Sequence, residues 1–213
     1  MEMVKISDNF KQQLSLLNKE QYAKVMEMFE HYYHEYKRMK KENPTYEKEI
    51  AQKLNVMVQE CIDSGIEESK VAQPEHTVSC HKGCSFCCFL SVDVSDDEAI
   101  LLTEVIEQNK IDIDYERLEK QLVKDADEFN KLPLKTRRCV LLGQDGGCKA
   151  YEFRPTGCRK LIVLSDPKLC DTTQDHPQQT MRMANLEAEV ISNASAHATE
   201  SGTMAEMLLK FRK

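Results

Sequence analysis

The sequence contains no apolar run approaching the ~18 residues of a membrane-spanning helix, no internal repeat and no low-complexity tract. With 41% hydrophobic and 31% charged residues, the composition is neither that of a disordered chain nor that of a membrane protein. Glycine is scarce, with seven residues scattered over 213. The one glycine-dense piece, "GQDGG" at 143–147, does not sit between a long strand and a helix, so no Gly-rich cofactor loop is expected. The opening stretch, "MEMVKISDNFKQQ", lacks the apolar h-region of a secretory signal. The expected location is therefore the cytoplasm, where thiols are kept reduced.

What is present fits a globular chain of one domain with appendages: 41% hydrophobic and 31% charged residues, enough to bury a core. The net charge of −7 is unevenly spread. Residues 1–75 carry 11 Lys and Arg against 14 Asp and Glu, whereas residues 131–170 carry nine basic residues against three acidic ones. A local basic excess inside an acidic protein needs something to balance.

Periodicity predicts a long amphipathic helix over 8–40, with Phe10, Leu14, Leu17, Val25, Met28 and Tyr32 on its apolar side. Asn43 and Pro44 read as N-cap and first position of a second helix, marked by Tyr46, Ile50, Leu54, Met57 and Cys61 and ending near Gly65. Together they form an expected helical hairpin. A short strand is expected in "FLSVDVS", then a helix over 96–109 opened by the capping box "SDDE". A further helix fits 114–130, with Tyr115, Leu118, Leu122, Ala126 and Phe129 on one side. "RCVLLGQDGGCKAYE" reads as two short strands around a Gly-Gly turn, and "RPTGC" as irregular. Helices return over about 178–198 and 202–212.

There are nine cysteines, eight of them between residues 80 and 170. Four fall within "CHKGCSFCC", at 80, 84, 87 and 88. Structural disulfides fit poorly: the compartment is reducing, the count is odd and the adjacent pair Cys87–Cys88 would be strained. A redox dithiol, Cys84-Ser-Phe-Cys87, needs only two thiols and leaves six unexplained. Core packing suits Cys61, which falls on an apolar helix face, but not the other eight, whose neighbours are Gly, Lys, His, Ser and Arg. Metal binding accounts for the density, since thiolates suit zinc and iron–sulfur clusters. The expected ligands are Cys80, Cys84, Cys87, Cys88, Cys139, Cys148, Cys158 and Cys170, as two four-ligand sites or one larger site.

The basic excess then has a role. Arg137, Arg138, Arg154 and Arg159 lie next to or near cysteines and are expected to neutralise a thiolate-bound centre from the layer around its ligands. A nucleic-acid patch is the rival reading, set aside because no aromatic interleaving or binding motif accompanies the charge. His81 and His176 are substitute ligands, and His31, His34 and His197 read as surface or satisfied residues. Tyr32, Tyr33 and Tyr36 read as helix packing. In "RPTGCR", Pro155 stiffens a corner that presents Cys158, Gly157 allows a turn close to the metal, and Arg159 can reach back to the sulfurs or to Glu152.

These residues resemble the CxxCxxCC family, the zinc- or iron-chelating domain of YkgJ-type cysteine-cluster proteins. Its opening C-x(2–3)-C-x2-CC block matches Cys80, Cys84, Cys87 and Cys88. An isolated strand Cys matches Cys139, "CKAY" matches C-x-x-[YF] with Cys148 and Tyr151, and "RPTGCR" matches R-P-x-x-C-R, with Cys170 closing. The resemblance covers about 80–170. It implies metal binding, with zinc and iron both open. One relative is a flagellin lysine N-methylase that uses S-adenosylmethionine, but no methyltransferase loop is present here.

The expected fold is mainly α with a small cysteine-rich α+β metal-binding core, flanked by an N-terminal helical hairpin and C-terminal helices. The expected units are 1–75, 76–176 and 177–213. The function expected is a metal-binding protein holding an iron–sulfur cluster or zinc. The alternatives are an enzyme using that centre, such as a protein lysine methyltransferase, and a metal carrier or redox sensor. The expected partners are the metal and a protein docked on the hairpin, with no membrane and no nucleic acid.

Overall fold

The computed structural model of the protein describes residues 8–42, 47–72, 74–75, 77–171, 180–183 and 185–212. Within them the chain is mainly helical, with ten helices and one two-stranded sheet.

The expected first helix is two: α1 (Asp8–Ser15) and α2 (Lys19–Glu42). Asn18 breaks the run. Its Oδ1 accepts from the Gln21 N–H at 2.9 Å, while Gln21 Oε1 accepts from the Asn18 N–H at 3.0 Å. This reciprocal cap starts a new helix although the apolar periodicity continues across it.

The next helix, α3 (Glu47–Ala72), runs through Gly65 rather than ending near it. A Cβ at Gly65 would lie 2.8 Å from Asn185 Nδ2. That amide donates to the Cys61 carbonyl at 2.5 Å, so the glycine marks a close approach between segments, not a helix end. Asn43, Pro44 and Tyr46 lie outside the described residues.

Strand β1 (Asp93–Ser95) leads directly into α4 (Asp96–Gln108), and the predicted capping box of Ser95 and Glu98 is present. The expected helix over 114–130 is divided into α5 (Tyr115–Lys120) and α6 (Ala126–Lys131). Gln121 turns inward instead of continuing the helix, its amide donating to the carbonyls of Thr136 at 2.6 Å and Arg138 at 3.1 Å. Asp125 then caps α6 through the Glu128 N–H. Leu122, expected on the buried side, is half exposed at 51%.

Two one-turn helices follow, α7 (Leu134–Arg137) and α8 (Thr156–Arg159). The second lies in "RPTGC", expected to be irregular. The two strands expected around "GQDGG" reduce to a single antiparallel bridge, Leu142 to Cys148. The chain ends with α9 (Leu186–Ala198), β2 (Ser201–Thr203) and α10 (Met204–Phe211). Strand β2 pairs antiparallel with β1, Val94 opposite Gly202. "SGT" is too short and too polar to show the alternation that announces a strand.

Three groups of buried side chains hold these elements. One joins α4 and α10 to Val140, Leu141 and Ala150 beneath the cysteine-bearing loops. A second joins Tyr36 and Met39 of α2, Ile50 to Ile62 of α3, and Ala188 and Ile191 of α9. The third packs α1 and α2 on Val190 and Ala194. Helix α9 thus lies against both helices of the N-terminal pair and is their main neighbour in the C-terminal segment. No helix among the described residues is long and apolar enough to cross a membrane.

Candidate metal centre

The first cysteine block is almost all turn. Gly83 adopts φ 96°, and the Cys84 N–H donates to the His81 carbonyl at 3.0 Å. A 3-10 turn over Phe86–Phe89 then sets Cys87 and Cys88, with the Cys88 N–H on Ser85 O at 2.9 Å. Two backbone contacts tie this block to the later cysteines. The Cys139 N–H donates to Cys88 O at 2.8 Å, and Ser79 N–H to Val163 O at 2.9 Å. The Val163 N–H in turn points at Cys80 Sγ, 3.3 Å away.

The second block folds onto the first. Gly146, at φ 79°, closes the turn between Cys139 and Cys148, and a Cβ there would lie 3.5 Å from the Gly83 carbonyl. Cys158 sits on α8, and Cys170 ends a 3-10 turn over Pro167–Cys170 that packs on the Phe86–Phe89 turn. All nine cysteines are free thiols.

Burial and neighbouring charge distinguish the thiols from one another. Burial pushes Cys139 up to about 11, with the neighbouring thiolates of Cys148 and Cys87 adding to it. Burial, then Cys139, Cys87 and Cys148, raises Cys158 well above its usual value. Burial also raises Cys80, helped by Cys84 and Cys87, and Cys170, helped by Cys80, Cys84 and Cys87. A hydrogen bond from Cys88 lowers Cys87 to about 7, and the same bond raises Cys88, with burial and the charges of Cys87, Cys139 and Cys158 behind it. The sulfurs fall into two groups with Cys87 common to both: Cys80, Cys84 and Cys170 on one side, and Cys88, Cys139, Cys148 and Cys158 on the other. Cys61 is apart: it is half-buried against the second core group, raised to about 11 by burial and by Glu187. Among the described residues, no three Cys, His, Asp or Glu side chains form a closed ligand set around one point.

The family model for "CxxCxxCC: Putative zinc- or iron-chelating domain" matches residues 79–185, just over half of the chain. The chain belongs to this family. No curated protein and no solved structure matches it. As a member of a zinc- or iron-chelating family, the protein has a metal ion as its partner. The donor chemistry fits: soft thiols gathered in partly buried loops are the environment in which a zinc or iron cation is favoured over protons.

Within the CxxCxxCC domain, the four arginines near the thiols are placed differently from one another. Arg154 lies 3.8 Å from the centre of the Tyr151 ring, with Lys82 also over that ring at 5.2 Å. Its charge adds to the lowering of Cys87 and opposes the upward shifts of Cys80, Cys148 and Cys158. Arg159 turns from the sulfurs to oxygens: its guanidinium donates to the carbonyls of Arg154 and Glu152 and to Gln59 Oε1 of α3. It reaches Glu152 at the backbone, not the carboxylate. Arg138 donates to the Gly143 carbonyl at 2.6 Å, bracing the turn. Arg137 is buried and lines a cavity of about 30 Å³ with Cys139, Gln121, Phe129 and Met204. Two arginines outside the motif were not singled out from sequence: Arg117 acts on Cys139 and Arg182 on Cys170. Neither is within two residues of a cysteine in sequence, so no local signal marks them.

Gly157 has a role other than the turn expected of it. Its backbone is ordinary helix, but a Cβ would lie 2.7 Å from Val92 Cγ2, so it permits α8 to lie on the segment entering β1. His81 is exposed, its Nδ1 2.9 Å from Ser79 O. His176 lies outside the described residues.

Proposed function

We propose that the protein holds an iron–sulfur cluster or zinc through Cys80, Cys84, Cys87, Cys88, Cys139, Cys148, Cys158 and Cys170. The observation that carries this reading is the joining of the cysteine loops, Cys139 N–H on Cys88 O at 2.8 Å and the Phe86–Phe89 turn against the Pro167–Cys170 turn, while Cys61 packs apart in the second core group. Deprotonated together without a cation they would repel strongly; bound to one they are stabilised. In this reading the set closes by side-chain movement as the metal binds. The metal, when bound, supplies either a closed structural cross-link or an electron-transfer centre. The chain's own part is to gather the thiols, to place Arg154 against their charge and to cover them with the Leu141 and Ala150 core.

In this reading residues 76–176 are the metal-binding unit, and the helices of 1–75 and 177–213 are its scaffold. An enzymatic role beside the centre gains no support from the cavity at Cys139. At about 30 Å³ it holds a water or two, far short of S-adenosylmethionine.

The test is metal and sulfide analysis with a visible spectrum on protein purified without oxygen. Iron with acid-labile sulfide and a brown colour indicates a cluster. Colourless protein with stoichiometric zinc indicates an all-thiolate structural site. Protein that binds neither in stoichiometric amount overturns the reading.

A further inference from the structure

Cys158 stands on a four-residue helix, α8, too short to hold its own position. What holds it comes from elsewhere in the chain. The first N–H of that helix, on Thr156, donates at 2.7 Å to Glu98 Oε1. Glu98 is 4% exposed and belongs to the first turn of α4. Its other oxygen, Oε2, is already engaged, accepting from the Ser95 N–H at 3.0 Å in the capping box. One carboxylate therefore serves two helices: one oxygen closes the start of α4, and the other fixes the start of α8 two residues before Cys158. On the same turn, Thr156 Oγ1 lies 3.1 Å from Ser192 Oγ of α9. A capping box needs only the first of Glu98's two contacts, so the second is not explained by helix formation.

We infer that Glu98 is a positioning residue for the metal centre: it sets where Cys158 presents its sulfur, through the Thr156 N–H. This rests on the reading of Cys158 as a ligand. Residues that orient ligands from outside the ligand shell commonly change metal affinity about 10–100-fold when removed. Because Glu98's cap can be broken separately at Ser95, the structural and positioning roles can be distinguished.

The experiment uses the full-length protein loaded with Co²⁺ alone, as a spectroscopic stand-in for either metal. Wild type is compared with Glu98→Ala, Glu98→Gln, Ser95→Ala and Cys158→Ser. The readouts are the thiolate-to-cobalt charge-transfer intensity, the rate of cobalt loss to a chelator, and thermal stability. Glu98→Ala is expected to lower the charge-transfer intensity and to release cobalt at least about tenfold faster. Ser95→Ala breaks the same capping box but leaves the Thr156 contact, so it is expected to lose stability while keeping the wild-type spectrum. Glu98→Gln retains one acceptor oxygen and is expected to restore much of the intensity. If Glu98→Ala and Ser95→Ala release cobalt equally fast, Glu98 is only a cap and the inference is overturned. If Glu98→Ala does not fold, Thr156→Pro, which removes the N–H that Glu98 accepts and leaves the capping box intact, is compared with Ser95→Ala in its place. Wild-type spectrum and release in Cys158→Ser would instead remove Cys158 from the ligand set, and the inference with it.

Discussion

Replacing Tyr36 by Phe removes one hydroxyl from the join between α2 and α4. The Tyr36 hydroxyl donates to Asp97 Oδ2 at 2.5 Å, and the Asp97 side chain is fully buried. Its other oxygen receives Lys40 Nζ at 3.1 Å, and Lys40 also reaches Asp96 at 3.0 Å and Thr199 at 3.2 Å. Phe keeps the ring in the second core group, so the loss is the hydrogen bond to a carboxylate, about 1.5–3 kcal/mol. In a chain of this length that corresponds to a fall of roughly 4–8 °C in Tm for a loss of about 2 kcal/mol. A pH dependence is expected with it. Burial raises Asp97 above its ordinary 3.8, with Asp96 adding to the rise, while Tyr36 and Lys40 pull it back. The raised group favours folding when protonated, so its contribution is present at low pH and is lost as pH rises through the folded value. Removing the Tyr36 hydroxyl raises that value further. The Phe variant is therefore expected to be weakest near neutrality and to recover part of its deficit as pH falls toward 4. Urea unfolding of both proteins across pH 4–8 measures this. A deficit below about 0.5 kcal/mol at pH 7, or one that grows on acidification, refutes the account.

Other perturbations separate the centre from its surroundings. Cys88→Ser is expected to lose metal and to lower Tm; wild-type metal content by elemental analysis would remove Cys88 from the ligands. Cys61→Ser is expected to keep full metal content and to cost about 1 kcal/mol in denaturant unfolding, because Cys61 packs on the second core group. Tyr151→Leu takes the ring from Arg154 and Lys82, each contact contributing about 0.5–1 kcal/mol. It is expected to lower Tm by a few degrees, measured by calorimetry, with faster metal loss as Arg154 keeps only its bond to the residue-151 carbonyl.

The parts of the fold that were legible in sequence are those with a chemical signal at one place. "SDDE" announced α4 because the capping box is a four-residue pattern, and it is present as expected. Apolar periodicity found the helical segments but not their breaks, because Asn18 and Gln121 interrupt it with side-chain hydrogen bonds to backbone groups while the apolar spacing continues. Gly65 misled for a related reason: glycine commonly ends helices, and only the approach of Asn185, 120 residues later in sequence, explains it inside one. Tyr36 read as packing because its ring is packing; that its hydroxyl meets a buried Asp97 depends on a contact between α2 and α4 that no local window contains.

The basic excess over residues 131–170 is the instructive case. Counted along the chain it surrounds the cysteines; in space four of the nine basic residues have other work. Lys160 pairs with Glu189 at 2.7 Å, Lys149 donates to the Asp112 carbonyl at 3.1 Å, and Arg138 and Arg159 brace carbonyls. The guanidinium that lowers most thiols is Arg154, joined by Arg117 and Arg182 from outside the window. This division follows from how the loops are built. Segments with one-turn helices and single bridges satisfy few of their own carbonyls, so long cationic side chains are recruited to do it. The charge needed against the sulfurs is then supplied by whichever arginines the fold leaves facing them. A composition count therefore marks where cations gather along the chain, but only the positions of Arg154, Arg117 and Arg182 show which of them act on the thiols.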